Sequence, residues 1–164
     1  MIRKAKRYSW PRKLYDKSRI LAENDLVEVY GLKNKREIWK TEAKVNYFRT
    51  RAKNLITSDH IEQKKFFAKL VTIGLPVQTI SDVLALNKED LLKRRLSTVV
   101  WKKGLAKTAQ HARQMIVHKK ILIDGRVVNA PSHLVGVHEE ASIILKPRAP
   151  RAQVETPMEV ATNG

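Results

Sequence analysis

The sequence predicts an α+β fold, with an all-helical N-terminal unit followed by a small domain of two helices and short strands. Apolar residues recur at helical spacing as far as residue 86, which indicates packed helices. Two more amphipathic segments follow from Asn87, and an Asp-Gly pair then separates β-rich runs, which is typical of a hairpin. With 164 residues, of which 43% are hydrophobic, the chain is long enough to bury a core.

These patterns divide the chain into four parts. We expect a basic N-terminal arm at residues 1–15, a helical domain at 16–86, a second domain at 87–146 and a C-terminal tail at 147–164. The tail contains several prolines and few apolar residues, so we expect it to be flexible.

The net charge of the chain indicates which kind of molecule it binds. The formal charge is +17, and self-repulsion of that size is commonly tolerated where a polyanion neutralises it. Nucleic acid is therefore the leading partner, and an anionic membrane surface comes second. The absence of cysteine excludes disulfides, thiolate zinc sites and iron–sulfur clusters. No apolar run approaches the ~20 residues that cross a bilayer, and the basic N-terminus lacks the apolar core of a signal peptide.

The N-terminal arm combines positive charge with aromatic residues. A solvated basic arm is one interpretation. We favour the other, in which the arm lies on phosphates and its aromatic rings stack on exposed bases. The candidate RNA contacts of the arm are Arg3, Lys4, Lys6, Arg7, Tyr8, Trp10, Arg12 and Lys13.

The helical domain shows start and stop signals but no catalytic pattern. Its Phe and Trp residues recur at helical spacing and are most simply core residues. Four helices are predicted: one begins after Asp16 and ends at Gly31, a long one runs from about Lys35 to Ile56, a third runs from Asp59 to Gly74, and a short one lies near residues 81–86.

The second domain begins with two helices that each have one apolar and one polar face. The first is predicted to run without a break from Asn87 to Gly104, with Arg94, Thr98 and Lys102 opposite its apolar face. Thr108 suits the N-cap of the second helix. The apolar stripe of that second helix comprises Ala109, Ala112, Met115 and Ile116.

Short strands follow these two helices. Asp124 and Gly125 are expected to form a two-residue type I′ turn between "ILI" and "RVV". The run "HLV" is expected to be extended, and "ASIIL" is expected to form a further strand. Glu139 and Glu140, which are adjacent, are expected to lie in a hydrophilic turn.

The two helices lie in a zone without acids. Between Asp90 and Asp124 there are nine Lys or Arg residues and no carboxylate, so we expect the negative charge to come from outside the chain. Their polar faces suit phosphate contacts and hydrogen bonds to ribose or base edges, whereas a merely solvated basic face is the alternative. The candidate RNA-binding residues are Arg94, Arg95, Thr98, Lys102, Lys107, Thr108, Gln110, His111, Arg113, Gln114, His118, Lys119, Lys120 and Arg126.

Residues 94–135 resemble the S-four RNA-binding domain. The resemblance is carried in order by Arg94-Arg95-Leu96, Gly104-Leu105-Ala106, Ala112-Arg113-Gln114 with Ile116 and His118, Gly125-Arg126-Val127, and Pro131-Ser132. The segments "YGLKNKREIW" and "NKEDLLKRRL" further resemble the archaeal and eukaryotic branch of the small-subunit ribosomal protein S-four family.

The resemblance implies a cytoplasmic protein of the ribosome. It implies a structural constituent of the small subunit that binds small-subunit ribosomal RNA at a junction in the 5′ domain, nucleates assembly and contributes to translational accuracy. It also implies that proteins S-three and S-five, and the region where messenger RNA enters, are neighbours. Many bacterial relatives carry an N-terminal cysteine cluster for zinc, which this chain lacks. We therefore expect no metal there. We also expect no other cofactor, no membrane contact and no homo-oligomer.

Two other functions are compatible with an S-four domain. S-four domains also occur in RNA-modifying and tRNA-charging enzymes, but these need a separate catalytic domain, and the chain has no glycine-rich loop, GxSxG or HExxH sequence. His133 and His138 lack the paired cysteines of a zinc site. We therefore predict that the chain is not an enzyme. A non-ribosomal RNA chaperone or ribosome-associated factor with the same domain stays open as the alternative.

Overall fold

The computed structural model describes residues 8–147 and has the predicted α+β architecture. Arg3, Lys4, Lys6 and Arg7 of the arm, and the tail beyond Pro147, lie outside the described residues. The elements in chain order are α1 (Lys17–Tyr30), α2 (Arg36–Asn54), a 3-10 turn (Leu55–Thr57), α3 (His60–Thr72), α4 (Ile80–Ala85), α5 (Lys88–Lys93), α6 (Leu96–Lys102), α7 (Ala109–Val117), β1 (Ile121–Ile123), β2 (Arg126–Val127), α8 (Val137–Ala141) and β3 (Ile144–Leu145).

Helix α2 is the centre of the N-terminal half. Its apolar stripe is buried, and Val45, Phe48 and Ala52 pack with Leu70 of α3 and Val83 of α4. Helix α5 joins the same side of the molecule, because its leucines 91 and 92 lie in the buried clusters built around α2. The domain boundary placed between residues 86 and 87 stays a prediction.

The predicted continuous helix from Asn87 to Gly104 is wrong, because the chain leaves the helical path at Arg94 and Arg95. The backbone of Arg95 is extended, with φ −70° and ψ 144°. The N–H of Leu96 donates to the carbonyl of His133 at 2.8 Å, and the N–H of Val135 donates to the carbonyl of Arg94 at 3.0 Å. These hydrogen bonds with a distant segment replace the helical ones, which local sequence signals do not reveal.

The C-terminal half encloses its own core between α6, α7 and a small sheet. Leu96, Val100, Ala112, Ile116 and Ile121 are fully or almost fully buried there. The antiparallel sheet has the order β2-β1-β3, so the first strand is central.

The hairpin between β1 and β2 has the predicted turn. Asp124 and Gly125 both have positive φ, 49° and 75°, as a type I′ turn requires. Strand pairing sets Ile123 opposite Arg126. The extended run "HLV" is also present, since Leu134 forms an isolated antiparallel bridge with Arg95.

The last two described elements, α8 and β3, differ from the prediction. Glu139 and Glu140 lie in the short helix α8 rather than in a turn, and only Ile144 and Leu145 of "ASIIL" form a strand. The Glu139 carboxylate accepts from the N–H of Gly136 at 2.9 Å, which stabilises the first turn of α8.

Candidate nucleic-acid interface

One exposed surface gathers most of the predicted RNA contacts. It runs from the end of α6 across the outer side of α7 to the turn and hairpin beyond, and it contains no carboxylate from these helices. We call it the basic face, and its exposed members are Lys102, Lys107, Thr108, Gln110, His111, Gln114, His118, Lys119, Lys120 and Arg126.

The first turn of α7 is held by two local hydrogen bonds on the basic face. The Thr108 hydroxyl accepts from the N–H of His111 at 3.1 Å, as the N-cap prediction requires. The Nδ1 atom of His111 accepts from the N–H of Lys107 at 3.3 Å. The first N–H groups of a helix have no partner within the helix and favour an anion. This turn therefore sets Lys107 beside a backbone site suited to phosphate.

The other end of α7 places two lysines in a tight turn. Lys119 has a left-handed backbone with φ 58°, and its N–H donates to the carbonyl of Ile116 at 2.9 Å. The N–H of Lys120 donates to the carbonyl of Met115 at 3.0 Å, which completes a helix-terminating motif. Glycine usually occupies the left-handed position, and a lysine there costs about 1–2 kcal/mol. Lys119 therefore places a positive charge at a backbone position that glycine would occupy with less strain.

The prediction that Thr98 faces outward is wrong. Thr98 is completely buried, and its hydroxyl donates to the carbonyl of Leu92 at 2.8 Å. The predicted position assumed that the helix runs unbroken through Arg94 and Arg95. The break there changes the rotational phase of α6, which turns Ser97 and Thr98 toward the core.

Arg94 is also held inside the protein rather than presented outward. Its Nε donates to the carbonyl of Ile73 at 3.0 Å, its Nη2 to the carbonyl of Val135 at 2.9 Å, and its Nη1 to the Glu140 carboxylate at 2.8 Å. Its guanidinium lies against Gly74, where a Cβ atom would stand 2.7 Å from Cζ. Arg94 therefore joins the end of α3 to α8.

Arg95 and Arg113 share one carboxylate, that of Glu37 on α2. Arg95 is 4% exposed, and its Nη2 lies 2.6 Å from Glu37 Oε2. Arg113 donates to both oxygens of Glu37, at 2.7 and 3.0 Å. Burial raises the pKa of Glu37, but hydrogen bonds from Arg113 and the charge of Arg95 outweigh it, so the pKa is lowered overall.

Part of the negative charge expected from outside thus comes from within the chain. Glu37 balances Arg95 and Arg113, and Glu140 balances Arg94. The lysines of the basic face make no such ion pair within residues 8–147. The need for an external anion therefore falls on these lysines.

A cleft of about 230 Å³ continues the positive surface onto α2. Glu37, Lys40 and Lys44 line one side of it, and Arg113 and Ser132 line the other. The pKa of Lys44 is lowered, first by burial and then by the positive charge of Lys69. Lys40 and Lys44 are not among the residues predicted to contact RNA. Lys40 and Lys44 follow Glu37 at spacings of three and seven residues, so they share one face of the helix with it. This spacing is the feature of the sequence that could have identified them as contacts.

The described part of the arm packs on α2. The ring centroids of Tyr8 and Trp10 lie 6.4 and 5.4 Å from that of Trp39, and Lys40 Nζ lies 5.8 Å from the Tyr8 ring centroid. The two aromatic residues predicted to stack on bases therefore contact protein with at least part of their surface. Trp10 still exposes 52% of its area. The side chains of Arg12 and Lys13 are exposed.

Within residues 8–147, no helix combines the length and apolar character needed to span a bilayer. Over the same residues, no three His, Asp or Glu side chains are grouped so that they could hold a metal ion. The Nε2 atom of His133 lies 3.1 Å from the Glu139 carboxylate.

Comparisons with known proteins agree with this geometry. The S4 domain family matches residues 94–140. The small ribosomal subunit protein uS4 of Methanococcus aeolicus is 41% identical over 94% of this chain and 92% of its own length. The protein of the same name from Hyperthermus butylicus is 43% identical over 90% of this chain and 88% of its own. That from Methanothermobacter thermautotrophicus is 41% identical over 92% of both chains.

The helix pair, the small sheet and the family match define an S4-domain protein with an added helical unit. The chain belongs to the family of small ribosomal subunit protein uS4, which confirms the resemblance found in the sequence. It is a structural protein and not an enzyme, as its relatives are ribosomal proteins.

Proposed function

We propose that this chain is a structural component of the small ribosomal subunit and binds small-subunit ribosomal RNA through the basic face. The supporting observation is the run of exposed lysines on and beside α6 and α7, which no carboxylate balances among the described residues. Relatives of nearly the same length are named as proteins of that subunit.

The proposed mechanism is electrostatic docking onto a preformed RNA shape. Lys102, Lys107, Lys119 and Lys120 would neutralise phosphates and release their counterions. Thr108, Gln110 and His111 would donate to or accept from ribose and base edges. Because α6 and α7 share a fully buried core, the spacing between these groups is fixed before binding.

The structure changes the proposed role of the arginines. Arg94 and Arg95 would act by holding the helix pair in place, because their guanidinium groups are already hydrogen bonded within the protein. Arg113 retains 20% exposure of its side chain and could contact a phosphate while it stays paired with Glu37. Lys40 and Lys44 extend the same surface across the cleft on α2.

Further parts of the proposal rest on the family resemblance. The RNA site would be a junction in the 5′ domain, and binding there would nucleate assembly of the subunit. Proteins S-three and S-five would be neighbours, near the region where messenger RNA enters, and the contacts would influence translational accuracy. A cytoplasmic location on the ribosome follows from this role.

The first test is binding of the full chain to a 5′-domain transcript of small-subunit ribosomal RNA, with excess tRNA as competitor at ~0.2 M salt. We expect tight binding that survives the competitor. Binding that tRNA abolishes would contradict specific docking and leave only a generic polycation.

Lys107 offers the cleanest test of the basic face. Lys107→Ala should make the dependence of log K on log salt shallower by about 0.7–0.9, equivalent to one phosphate. Lys107→Arg is the matched control and should keep the wild-type slope. Arg113→Ala is less informative, because it would also disrupt the pairing of Glu37. An unchanged slope for Lys107→Ala would exclude this residue from the docking surface.

Co-sedimentation separates the proposal from its alternative. A structural component should stay with small subunits in stoichiometric amounts through moderate salt. A chaperone or ribosome-associated factor should wash off or appear only on a fraction of particles.

A further inference from the structure

A second cleft lies apart from the basic face. It has a volume of about 480 Å³ and lies between the segment of residues 9–16 and the helices α1 and α2. Trp10, Trp39, Glu42 and Asn46 are among its lining residues. This volume falls in the range of about 300–1,000 Å³ that small-molecule sites occupy.

The walls of this cleft are held by a buried carboxylate. Glu23 is 3% exposed, and its Oε1 accepts from Arg19 Nη1 at 2.6 Å and from Trp39 Nε1 at 3.0 Å. Arg19 also donates to the carbonyls of Lys13 and Leu14, at 3.1 and 3.0 Å. These bonds fasten the N-terminal segment to α1 and orient Trp39. The cleft therefore has walls that are held in place by hydrogen bonds.

One side of the cleft offers an aromatic surface for stacking. Trp10 packs against Trp39 with a centroid distance of 5.4 Å and an interplanar angle of 44°. This contact leaves 52% of Trp10 exposed. About half of the surface of Trp10 is therefore free, and an exposed aromatic ring is the surface on which an unpaired base stacks.

The remaining walls supply the other groups that a nucleotide needs. Trp39, Glu42 and Asn46 follow one another at spacings of three and four, so they lie on one side of α2. The Glu42 carboxylate accepts hydrogen bonds, and the Asn46 amide both accepts and donates. Arg12 and Lys13 are exposed at the rim and carry the positive charge that a phosphate requires.

We propose that this cleft binds one unpaired nucleotide of RNA. The base stacks on Trp10, its edge faces Glu42 and Asn46, and its phosphate lies against Arg12 and Lys13. Because a carboxylate only accepts, the site favours adenine, cytosine or guanine, which carry an exocyclic amino group, over uracil, whose one edge donor, N3–H, lies between two carbonyl oxygens that repel the carboxylate. The inference rests on the proposed function in one respect, namely that the nucleotide belongs to the RNA bound by the basic face.

Short oligonucleotides test the cleft without any ribosomal RNA. Dye-labelled tetra-adenylate and tetra-uridylate are titrated with the full chain, and anisotropy gives the affinities. Tetra-adenylate should bind several-fold more tightly than tetra-uridylate. Trp10→Leu should weaken the binding of tetra-adenylate about tenfold, because stacking contributes about 1–3 kcal/mol per base. Tyr15→Leu is the matched control, since Tyr15 is 92% exposed in the same segment and does not line the cleft.

A chemical footprint of the 5′-domain transcript provides the second measurement. With wild-type protein, one unpaired base should be protected on its Watson–Crick edge, and Trp10→Leu should restore its reactivity. The rest of the footprint and the salt slope should not change, whereas Lys107→Ala should alter the slope.

The outcomes separate this inference from the proposed function. If the wild-type protein does not bind the transcript specifically, the proposed function is overturned. The titrations with tetra-adenylate and tetra-uridylate would still show whether the cleft binds a nucleotide. Equal affinities for the two tetranucleotides would overturn the base preference. Equal affinities of wild type and Trp10→Leu for tetra-adenylate, with no restored base in the footprint, would overturn the nucleotide site.

Discussion

Arg113 of α7 and Glu37 of α2 form a paired hydrogen bond, with N–O distances of 2.7 and 3.0 Å, across 76 residues of sequence. The same carboxylate also accepts from the nearly buried Arg95 at 2.6 Å. One acid of the helical unit therefore balances two arginines of the S4 domain. It fixes the orientation of α7, and with it the position of the basic face.

Replacement of Glu37 should destabilise the whole protein. Glu37→Gln would leave the guanidinium of Arg95 buried without a charged partner, and breaking such a pair costs about 2–4 kcal/mol when the carboxylate keeps some exposure. The midpoint of urea unfolding should fall accordingly. Glu62→Gln, which changes an exposed acid of α3, is the control and should shift the midpoint little. Equal midpoints for the two variants would show that the Glu37 cluster carries no net stability.

The contribution of Glu37 should also depend on pH. Folding lowers its pKa below the ordinary value of 4.5, so this contribution is complete at neutral pH and disappears as the pH falls from 4.5 through the lower pKa of the folded state. The stability difference between wild type and Glu37→Gln should therefore narrow with acid. A difference that stays constant from about pH 7 to pH 3 would contradict the lowered pKa.

Substitution of Thr98 and of Thr108 should have different effects, because Thr98 has only a structural role and Thr108 is also expected to bind RNA. Each hydroxyl makes one hydrogen bond, to the Leu92 carbonyl and from the His111 N–H respectively. Thr98→Val and Thr108→Val should each cost about 1 kcal/mol of unfolding free energy. Only Thr108→Val should weaken RNA binding by the folded protein, because Thr98 has no exposed surface. Unfolding curves and transcript binding measure the two effects, and weaker RNA binding by folded Thr98→Val would contradict its burial.

Lys119 should show opposite effects on stability and binding. Lys119→Gly removes the left-handed strain at φ 58° and should stabilise the fold by about 1 kcal/mol. It should also weaken RNA binding, because one cation of the basic face is lost. Lys120→Gly is the matched control, since Lys120 is not in the left-handed region and glycine there should destabilise the fold. Unfolding and salt-titration curves of both variants test this, and unchanged RNA affinity in Lys119→Gly would remove Lys119 from the interface.

Gly31 should tolerate no side chain. It ends α1 with φ 59°, and a Cβ atom there would stand 2.7 Å from backbone atoms of Ala109 and Gln110 at the start of α7. Gly31→Ala should therefore cost more than the about 1–2 kcal/mol of left-handed strain alone. Gly125→Ala supplies the comparison, because Gly125 also has positive φ but no atom lies within 4 Å of its Cβ position. Equal unfolding free energies in the two variants would contradict the close approach of α1 and α7.

The sequence by itself determined those features that depend on neighbouring residues. The Thr108 cap, the Gly31 stop and the Asp124-Gly125 turn were all predicted, because each depends on backbone preferences within a few positions. The apolar stripe of α7 was predictable from periodicity. The acid-free run of charge located the basic face, since exposed lysines along one segment stay together whatever the fold does elsewhere.

Only the tertiary structure decided where the predicted helix is interrupted, which side of α6 is buried and which ion pairs connect the helices. The break at Arg94 and the extended backbone of Arg95 depend on hydrogen bonds to residues 133–135. The break reverses the outward orientation expected for Thr98. The choice of Glu37 as the partner of Arg95 and Arg113 depends on α2 crossing the second domain. Sequence periodicity describes one helix or strand at a time. A buried charge or an unpaired backbone group, in contrast, forms its ion pair or hydrogen bond with a residue far away in the sequence, and only the fold determines which residue that is.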